Sequence, residues 1–149
     1  MDVIIRDITS KDYQDICILM NNDLELCLNV TNDIISTQIE RMKCSGNYII
    51  KAAEYENQIV GFIAAYKTLI LEIPNEYMRI IGLSVKKQYR RMGIGMQLMS
   101  SLTQYANEHD IAYIALNTLP GATADHAFYQ ANGFEKKSIC YSKVLRTTN

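Results

Sequence analysis

Residues 80–95 read IIGLSVKKQYRRMGIG, and the fold turns on how that stretch divides. Ile80, Ile81, Leu83 and Val85 make an apolar run, the composition of a buried strand. Traced back to Tyr77, the run predicts a central strand over residues 77–85. A basic loop follows with Lys86, Lys87, Arg90 and Arg91. Gly93-Ile94-Gly95 then opens a helix over residues 93–109, because Ile94, Leu98, Leu102, Tyr105 and Ala106 fall on one face. Residues 111–116 form a short apolar strand, and a strand, helix, strand order implies a parallel crossover.

The junction of strand and helix has a chemistry of its own. A helix N-terminus exposes unpaired backbone N–H groups and a partial positive charge. Glycine lets that backbone approach a ligand without side-chain obstruction. With Lys86, Lys87, Arg90 and Arg91 beside it, such a junction binds a pyrophosphate. The spacing argues against two familiar ligand loops. A dinucleotide loop wants a third glycine three residues after Gly95, where Leu98 stands, and a P-loop wants Gly-Lys-Ser/Thr, which is absent. Taken alone, the G-x-G pattern fits an ordinary surface turn as well.

Outward from this centre, residues 2–8 alternate as a first strand with Val3, Ile5 and Ile8. Ser10 is placed to cap a helix bearing Tyr13, Ile16, Cys17 and Met20 on one face. Thr31 and Asp33 start a second helix with Ile35, Ile39 and Met42, stopped at Gly46. Residues 48–54 and 59–71 read as a hairpin across Glu56-Asn57-Gln58, and Pro74 with Asn75 as a further turn. Residues 122–131 are helical and close at Asn132-Gly133, and residues 134–138 and 139–145 complete the chain as strands. The order β-α-α-β-β-β-α-β-α-β-β predicts a layered α/β architecture with a mixed sheet.

Composition removes several classes of function. With 48% hydrophobic and 21% charged residues, the 149-residue chain suits one ordinary globular domain rather than a disordered segment. A net charge of -1 lacks the basic surplus of a nucleic-acid binder. No apolar run approaches the roughly 20 residues of a membrane helix, and Asp2 and Arg6 within the opening strand argue against a secretory signal. Cys17, Cys27, Cys44 and Cys140 show no C-x-x-C spacing and no histidine close by, so structural thiols in a reducing, cytoplasmic setting are expected, with no metal site.

Three motifs in order carry a family resemblance. Arg90-Arg91-Met92-Gly93-Ile94-Gly95 resembles the Arg/Gln-x-x-Gly-x-Gly/Ala loop of the GNAT superfamily of acetyltransferases, and it stands after the fourth strand as in that superfamily. Residues 127–134, AFYQANGF, resemble its helix ending in F-Y-x-x-x-G-F. Residues 57–62, NQIVGF, look like its second-to-third strand turn. Together they cover the chain from about residue 48 to its end, whereas the N-terminal part resembles the family in element order only. The resemblance implies a single domain over residues 1–149. Its fold would be an α/β one: a mixed, mostly antiparallel sheet splayed between the fourth and fifth strands and flanked by helices on both faces. It implies acetyl-CoA as co-substrate, with Leu83, Ser84 and Val85 bonded to the pantetheine arm. Arg90 and the N–H groups of Arg91, Met92, Gly93, Ile94, Gly95 and Met96 would hold the pyrophosphate.

Tyr129 matches the tyrosine that lies near the CoA sulfur in many family members, where a phenol can donate to the leaving thiolate. Its other reading is an aromatic packed beside Phe128 and Phe134. Asn117 follows the fifth strand, a position that often bonds pantetheine or substrate, although asparagine also forms turns there. His126, three residues before Tyr129, shares a helix side with it. His109 reads as a favourable charge at a helix end. The general base stays open: some members carry a glutamate in the fourth strand about where Arg79 stands, and Glu72 and Glu76 flank the turn before it. With no histidine beside any cysteine, direct attack in a ternary complex is favoured over ping-pong.

Asp23, Glu25, Asp33, Glu72 and Glu76 make the acceptor half locally acidic, which suits a small cationic amine. A solvated acidic face explains the same residues. The alternative class is a non-catalytic acyl-CoA sensor or partner-binding module. Relatives are often dimers, and the final strands offer a surface for a homodimer.

Overall fold

The computed structural model describes residues 1–22, 29–118 and 120–146. It contains two compact units, Met1–Leu116 and Asn117–Asn149. In the first unit, β1 (Ile4–Asp7) leads through a 3-10 turn (Ser10–Asp12) into α1 (Tyr13–Asn22), followed by α2 (Asn32–Ser45). β2 (Tyr48–Tyr55), β3 (Gln58–Ile70) and β4 (Ile73–Val85) come next, then α3 (Ile94–Glu108) and β5 (Tyr113–Ala115). The sheet order is β1-β2-β3-β4-β5, with β1 to β4 antiparallel and β5 parallel to β4.

The cap of the first helix lies one residue earlier than the sequence suggests. Thr9, not Ser10, stands at the N-cap position, and its N–H donates to the Asp12 carboxylate (2.8 Å). Asp12 is buried and also receives two bonds from the Arg6 guanidinium (2.8 and 3.0 Å), whose Nε reaches Glu54 (2.7 Å). This knot ties β1, β2 and the entry to α1 together. The Arg6 guanidinium is the main reason that the Asp12 carboxyl is held below its ordinary pKa. α2 starts and stops as its sequence dictates: the Thr31 hydroxyl accepts the Ile34 N–H, and Gly46 ends the helix at φ 73.

α1 and α2 cover one face of the sheet. Tyr13, Ile16, Cys17, Leu19, Ile35 and Ile39 pack there against Ala52 of β2 and Phe62 and Ala64 of β3. α3 covers the other face: the site of a Cβ on Gly61 is 3.4 Å from Leu98, and the Lys67 ammonium lies over the Tyr105 ring. Leu98 and Leu102 are fully buried, which stabilises by roughly 1.5–3 kcal/mol for each side chain. Cys17 is buried as expected, while Cys44 and Cys140 are exposed; Cys27, Asp23 and Glu25 lie outside the described residues.

Two turns differ from the sequence pattern. The β2–β3 hairpin turns at Glu56 and Asn57, both at positive φ (49° and 61°), so the loop has two residues and not three. The next hairpin turns at Leu71-Glu72, and Pro74 and Asn75 lie inside β4. There the register jumps from Ile70↔Ile73 to Thr68↔Tyr77, so Pro74 sits in a bulge, where its missing N–H leaves no ladder bond unmade.

A second irregularity positions the site. Ala64 pairs with Gly82 but Ala65 with Ile80, which makes Ile81 an extra residue in β4. Side chains before it at Tyr77 and Arg79 share the α1/α2 face with Tyr66 and Thr68, and after it Gly82 and Ser84 take up that face opposite Ala64 and Phe62.

In the second unit, α4 (Thr123–Ala131) ends in a Schellman closure. The Phe134 N–H bonds the Tyr129 carbonyl (3.0 Å), the Gly133 N–H bonds the Gln130 carbonyl (3.1 Å), and Gly133 is left-handed at φ 86. The strands expected over residues 134–138 and 139–145 are not formed: described residues 132–146 carry no strand. Apolar alternation alone does not make a strand, which needs a ladder partner, and Ile139, Tyr141, Val144 and Leu145 are at least 77% exposed.

Candidate functional site

β5 pairs with β4 only at Tyr77↔Tyr113, Met78↔Ile114 and Arg79↔Ala115. Past Arg79 no described strand of the sheet lies against β4 on that side, so residues 80–85 form an open edge of about 20 Å. The Lys86 N–H bonds the Val60 carbonyl (2.8 Å). Antiparallel strands bond a given neighbour through alternate residues, so Ser84 also faces β3. Leu83 and Val85 therefore turn their main-chain N–H and C=O toward the open side. The Val85 carbonyl shows this directly, since it receives the Arg90 Nε (3.0 Å). Ser84 is buried, and its hydroxyl makes no hydrogen bond among the described residues.

From that edge the chain passes through a 3-10 turn (Lys87–Tyr89) into the mouth of α3. Arg91 is left-handed at φ 61 and Gly93 at φ 83, while Met92 between them is not. Alternating hand of this kind turns successive N–H groups toward one concavity, the geometry of an anion nest. The first intrahelical bond runs from the Gln97 N–H to the Gly93 carbonyl (3.0 Å), so the N–H groups of Gly93, Ile94, Gly95 and Met96 precede the helical ladder. Gly93, at the N-cap position, has no side chain with which to cap them. Arg90, Arg91, Met92, Gly93 and Met96 are exposed and Ile94 is buried beneath them, anchoring the helix start to the core. The arrangement offers a concave set of main-chain donors, reinforced by guanidinium charge, at the end of an unpaired strand edge.

Glu72 stands exposed at the β3–β4 turn and Glu76 is half-buried in β4, where its carbonyl accepts the Ala112 N–H (3.3 Å). Arg79 occupies the last rung paired with β5, and its guanidinium donates to the Tyr77 hydroxyl (2.8 Å).

In the second unit, Tyr129 sits three residues before the α4 C-cap, half-buried between Phe128 and Phe134, whose rings meet it edge-on at 5.4 and 5.9 Å. The contact of Tyr129 with Phe134 is the apolar pair that accompanies this helix closure, which explains the F-Y-x-x-x-G-F spacing physically. Burial first, and the Asp125 carboxylate second, push the Tyr129 phenol up to about 12. It thus stays protonated throughout the physiological range. His126 is half-buried one turn earlier on α4. Asn117 donates its side-chain amide to the Cys140 sulfur (3.2 Å), a contact that sequence reasoning missed because the two residues are 23 apart.

Several known proteins are similar to this chain. A mouse relative, N-acetyltransferase family 8 member 3, is 31% identical over 93 residues, which make up 62% of this chain and 41% of that protein. The chain thus spans well under half the length of this curated relative. Among solved structures, a transcriptional regulator from Bacillus halodurans superposes with a TM-score of 0.89 at 21% identity, covering 97% of this chain and 100% of that one. AAC(6')-Iy in complex with a CoA–acetylneamine bisubstrate analogue superposes with a TM-score of 0.80 at 18% identity, covering 97% and 99%. These two likenesses show the shared fold. Residues 13–134 match the model of the acetyltransferase (GNAT) family, and the chain belongs to that family.

Proposed function

We propose that the protein transfers an acetyl group from acetyl-CoA to a primary amine of a small, cationic acceptor. The observation that carries the reading is the open edge of β4 leading, through one 3-10 turn, to the donor nest at the mouth of α3. A phosphate-bearing ligand with an amide-containing arm matches both parts: its diphosphate suits the N–H groups of residues 91–96, and its amides suit the main chain of Leu83 and Val85. The buried, unpartnered hydroxyl of Ser84 marks the same stretch as one built for a ligand. Arg90 and Arg91 add charge at the diphosphate end, and Asn117 is assigned to the arm or the acceptor.

Tyr129 is the proposed acid toward the departing sulfur. With its phenol near 12 against about 8.5 for an ordinary thiol, complete proton transfer is uphill by roughly a thousandfold. Tyr129 therefore acts mainly by donating a hydrogen bond to the developing thiolate, with the proton supplied in the end by the attacking nitrogen or by water. The amine attacks the thioester carbonyl directly, a C–N bond forms, the C–S bond breaks and the nitrogen loses a proton. Glu72, Glu76 and His126 are the residues assigned to the acceptor side.

Calorimetry with acetyl-CoA, combined with thiol release over a panel of amines, tests this. Heat of binding with thiol released only when an amine is present supports transfer. Heat without thiol release under any amine identifies a sensor and overturns the enzyme reading.

A further inference from the structure

Ten tyrosines are present in the sequence, and the strand register brings four of them to one place. Tyr48 pairs with Tyr66, Tyr66 with Arg79, and Arg79 with Ala115. On the neighbouring rung Thr68 pairs with Tyr77 and Tyr77 with Tyr113. Paired residues project on the same side of a sheet, and Tyr66 lies two residues beyond Ala64, which packs under α1 and α2. All four tyrosines therefore stand on the α1/α2 face, in a row across β2 to β5 that spans about 14 Å. Their rings associate in pairs: Tyr48 and Tyr66 at 5.7 Å and tilted, Tyr77 and Tyr113 at 5.7 Å and parallel within 18°. Tyr48 and Tyr113 are 37% and 42% exposed, so the row is open to a ligand at both ends.

The location gives the row its meaning, and this step rests on the coenzyme reading above. An arm laid along residues 80–85 must stop where β5 closes against β4, at Arg79↔Ala115. The acyl carbon then lies at that rung, and Tyr77 and Tyr113 lie on the next one. We propose that Tyr48, Tyr66, Tyr77 and Tyr113 form the acceptor platform, and that the acceptor carries its amine on a ring that lies on the phenol faces. Tyrosine offers a rigid flat body for stacking and a hydroxyl for the ligand's polar edge, at little conformational cost. The Arg79 bond fixes the Tyr77 hydroxyl in orientation. Four of the seven residues of the two rungs are tyrosines and none is a carboxylate, so the body of the acceptor meets flat ring faces, with Glu72 and Glu76 of the reading above left for its ammonium. The platform therefore selects ring amines over flexible polycations.

The test uses thiol release with acetyl-CoA and three acceptors, glucosamine, phenethylamine and spermidine, on the full chain and on Tyr113→Ala, Tyr113→Phe and Tyr66→Ala. A ring amine is expected to exceed spermidine at least tenfold in kcat/KM. Tyr113→Ala should raise its KM roughly tenfold with kcat within about twofold, the signature of lost binding shared by ground and transition states. If Tyr113→Phe raises KM as much, the ring is a hydroxylated sugar; if Phe retains wild-type KM, it is aromatic; both uphold the platform. Tyr113 is an exposed residue on an edge strand, so its variants carry the test if Tyr66→Ala does not fold. Spermidine matching the ring amines, or unchanged KM in Tyr113→Ala, overturns the platform while acetyl-CoA heat keeps the coenzyme reading. Absence of that heat overturns both.

Discussion

Gly61→Ala adds one methyl group at the point where β3 holds the last residues of β4 in place. A Cβ there would lie 2.8 Å from the Ser84 carbonyl oxygen, 3.3 Å from Val85 Cγ2 and 3.4 Å from Leu98 Cδ1. The two side-chain contacts can yield by a rotamer adjustment, but the carbonyl belongs to the ladder and moves only with the strand. Overpacking of this kind costs about 1–3 kcal/mol, while alanine recovers about 0.5–1 kcal/mol of the entropy that glycine loses in a strand. The net destabilisation is about 1–2 kcal/mol, or roughly 3–6 °C in Tm for a chain of this length. Urea unfolding followed by circular dichroism measures it, with Gly121→Ala as control, since nothing lies within 4 Å of a Cβ there and its φ is not left-handed. Because the strain falls on residues 83–85, acetyl-CoA affinity should weaken in the same variant. An unchanged midpoint together with unchanged affinity would refute the claim that close backbone approach at Gly61 sets the path of β4.

Gly93→Val forces a β-branched residue into a left-handed conformation at φ 83 and should lower acetyl-CoA affinity at least tenfold, whereas Gly93→Asn, which tolerates that region, should keep most of it; isothermal calorimetry separates them. Tyr129→Phe should reduce kcat about 10–100-fold with coenzyme affinity nearly unchanged, because the ring and its helix closure remain and only the donor is lost. With the Tyr129 phenol held near 12, kcat/KM should climb with pH as the acceptor amine deprotonates and show no fall below about pH 10; a descending limb near pH 9 contradicts the assignment. Asp12→Asn should destabilise by about 2–3 kcal/mol, discounted for the partial exposure of Arg6. The depressed Asp12 pKa makes its contribution complete above about pH 4, the unfolded value, and lost as pH falls through the folded one, so wild type and variant should converge in acid unfolding curves.

What the sequence disclosed depended on how local the cause was. Helix ends were legible because their causes lie within a few residues: Thr31 and Gly46 bound α2, and Gly133 with Phe134 closes α4. The glycine turn that opens α3 was legible for the same reason, although the alternating hand at Arg91 and Gly93 had to be seen. Pairing was less accessible. Pro74 reads as a turn to any local rule, and only the ladder shows it accommodated in a bulge of β4. The final strands were inferred from alternation and are not formed in the described residues, since alternation specifies which face a strand would bury and not what it pairs with. The row of Tyr48, Tyr66, Tyr77 and Tyr113 was invisible as a group, because Tyr48 and Tyr113 lie 65 positions apart and no spacing rule connects them.

The bulge at Ile81 divides β4 into two halves with different work. Before it, β4 is paired on both sides, and Tyr77 and Arg79 project under α1 and α2. After it, β5 has left, the α1/α2 face is taken by Gly82 and the buried Ser84, and the main chain of Leu83 and Val85 is exposed at an edge. Were Ile81 paired in a regular ladder instead of bulged out, the side-chain alternation would run unbroken from Tyr77 to Val85, placing Leu83 and Val85 on the α1/α2 face and Ser84 against α3. The hydroxyl of Ser84 would then face Leu98 rather than Phe62, and two branched apolar side chains would replace glycine and serine opposite the packed Phe62 ring, which already stands 3.1 Å from a Cβ at Gly82. The bulge takes Ile81 out of the ladder, so that Tyr77 and Arg79 before it and Gly82 and Ser84 after it share one face of the sheet.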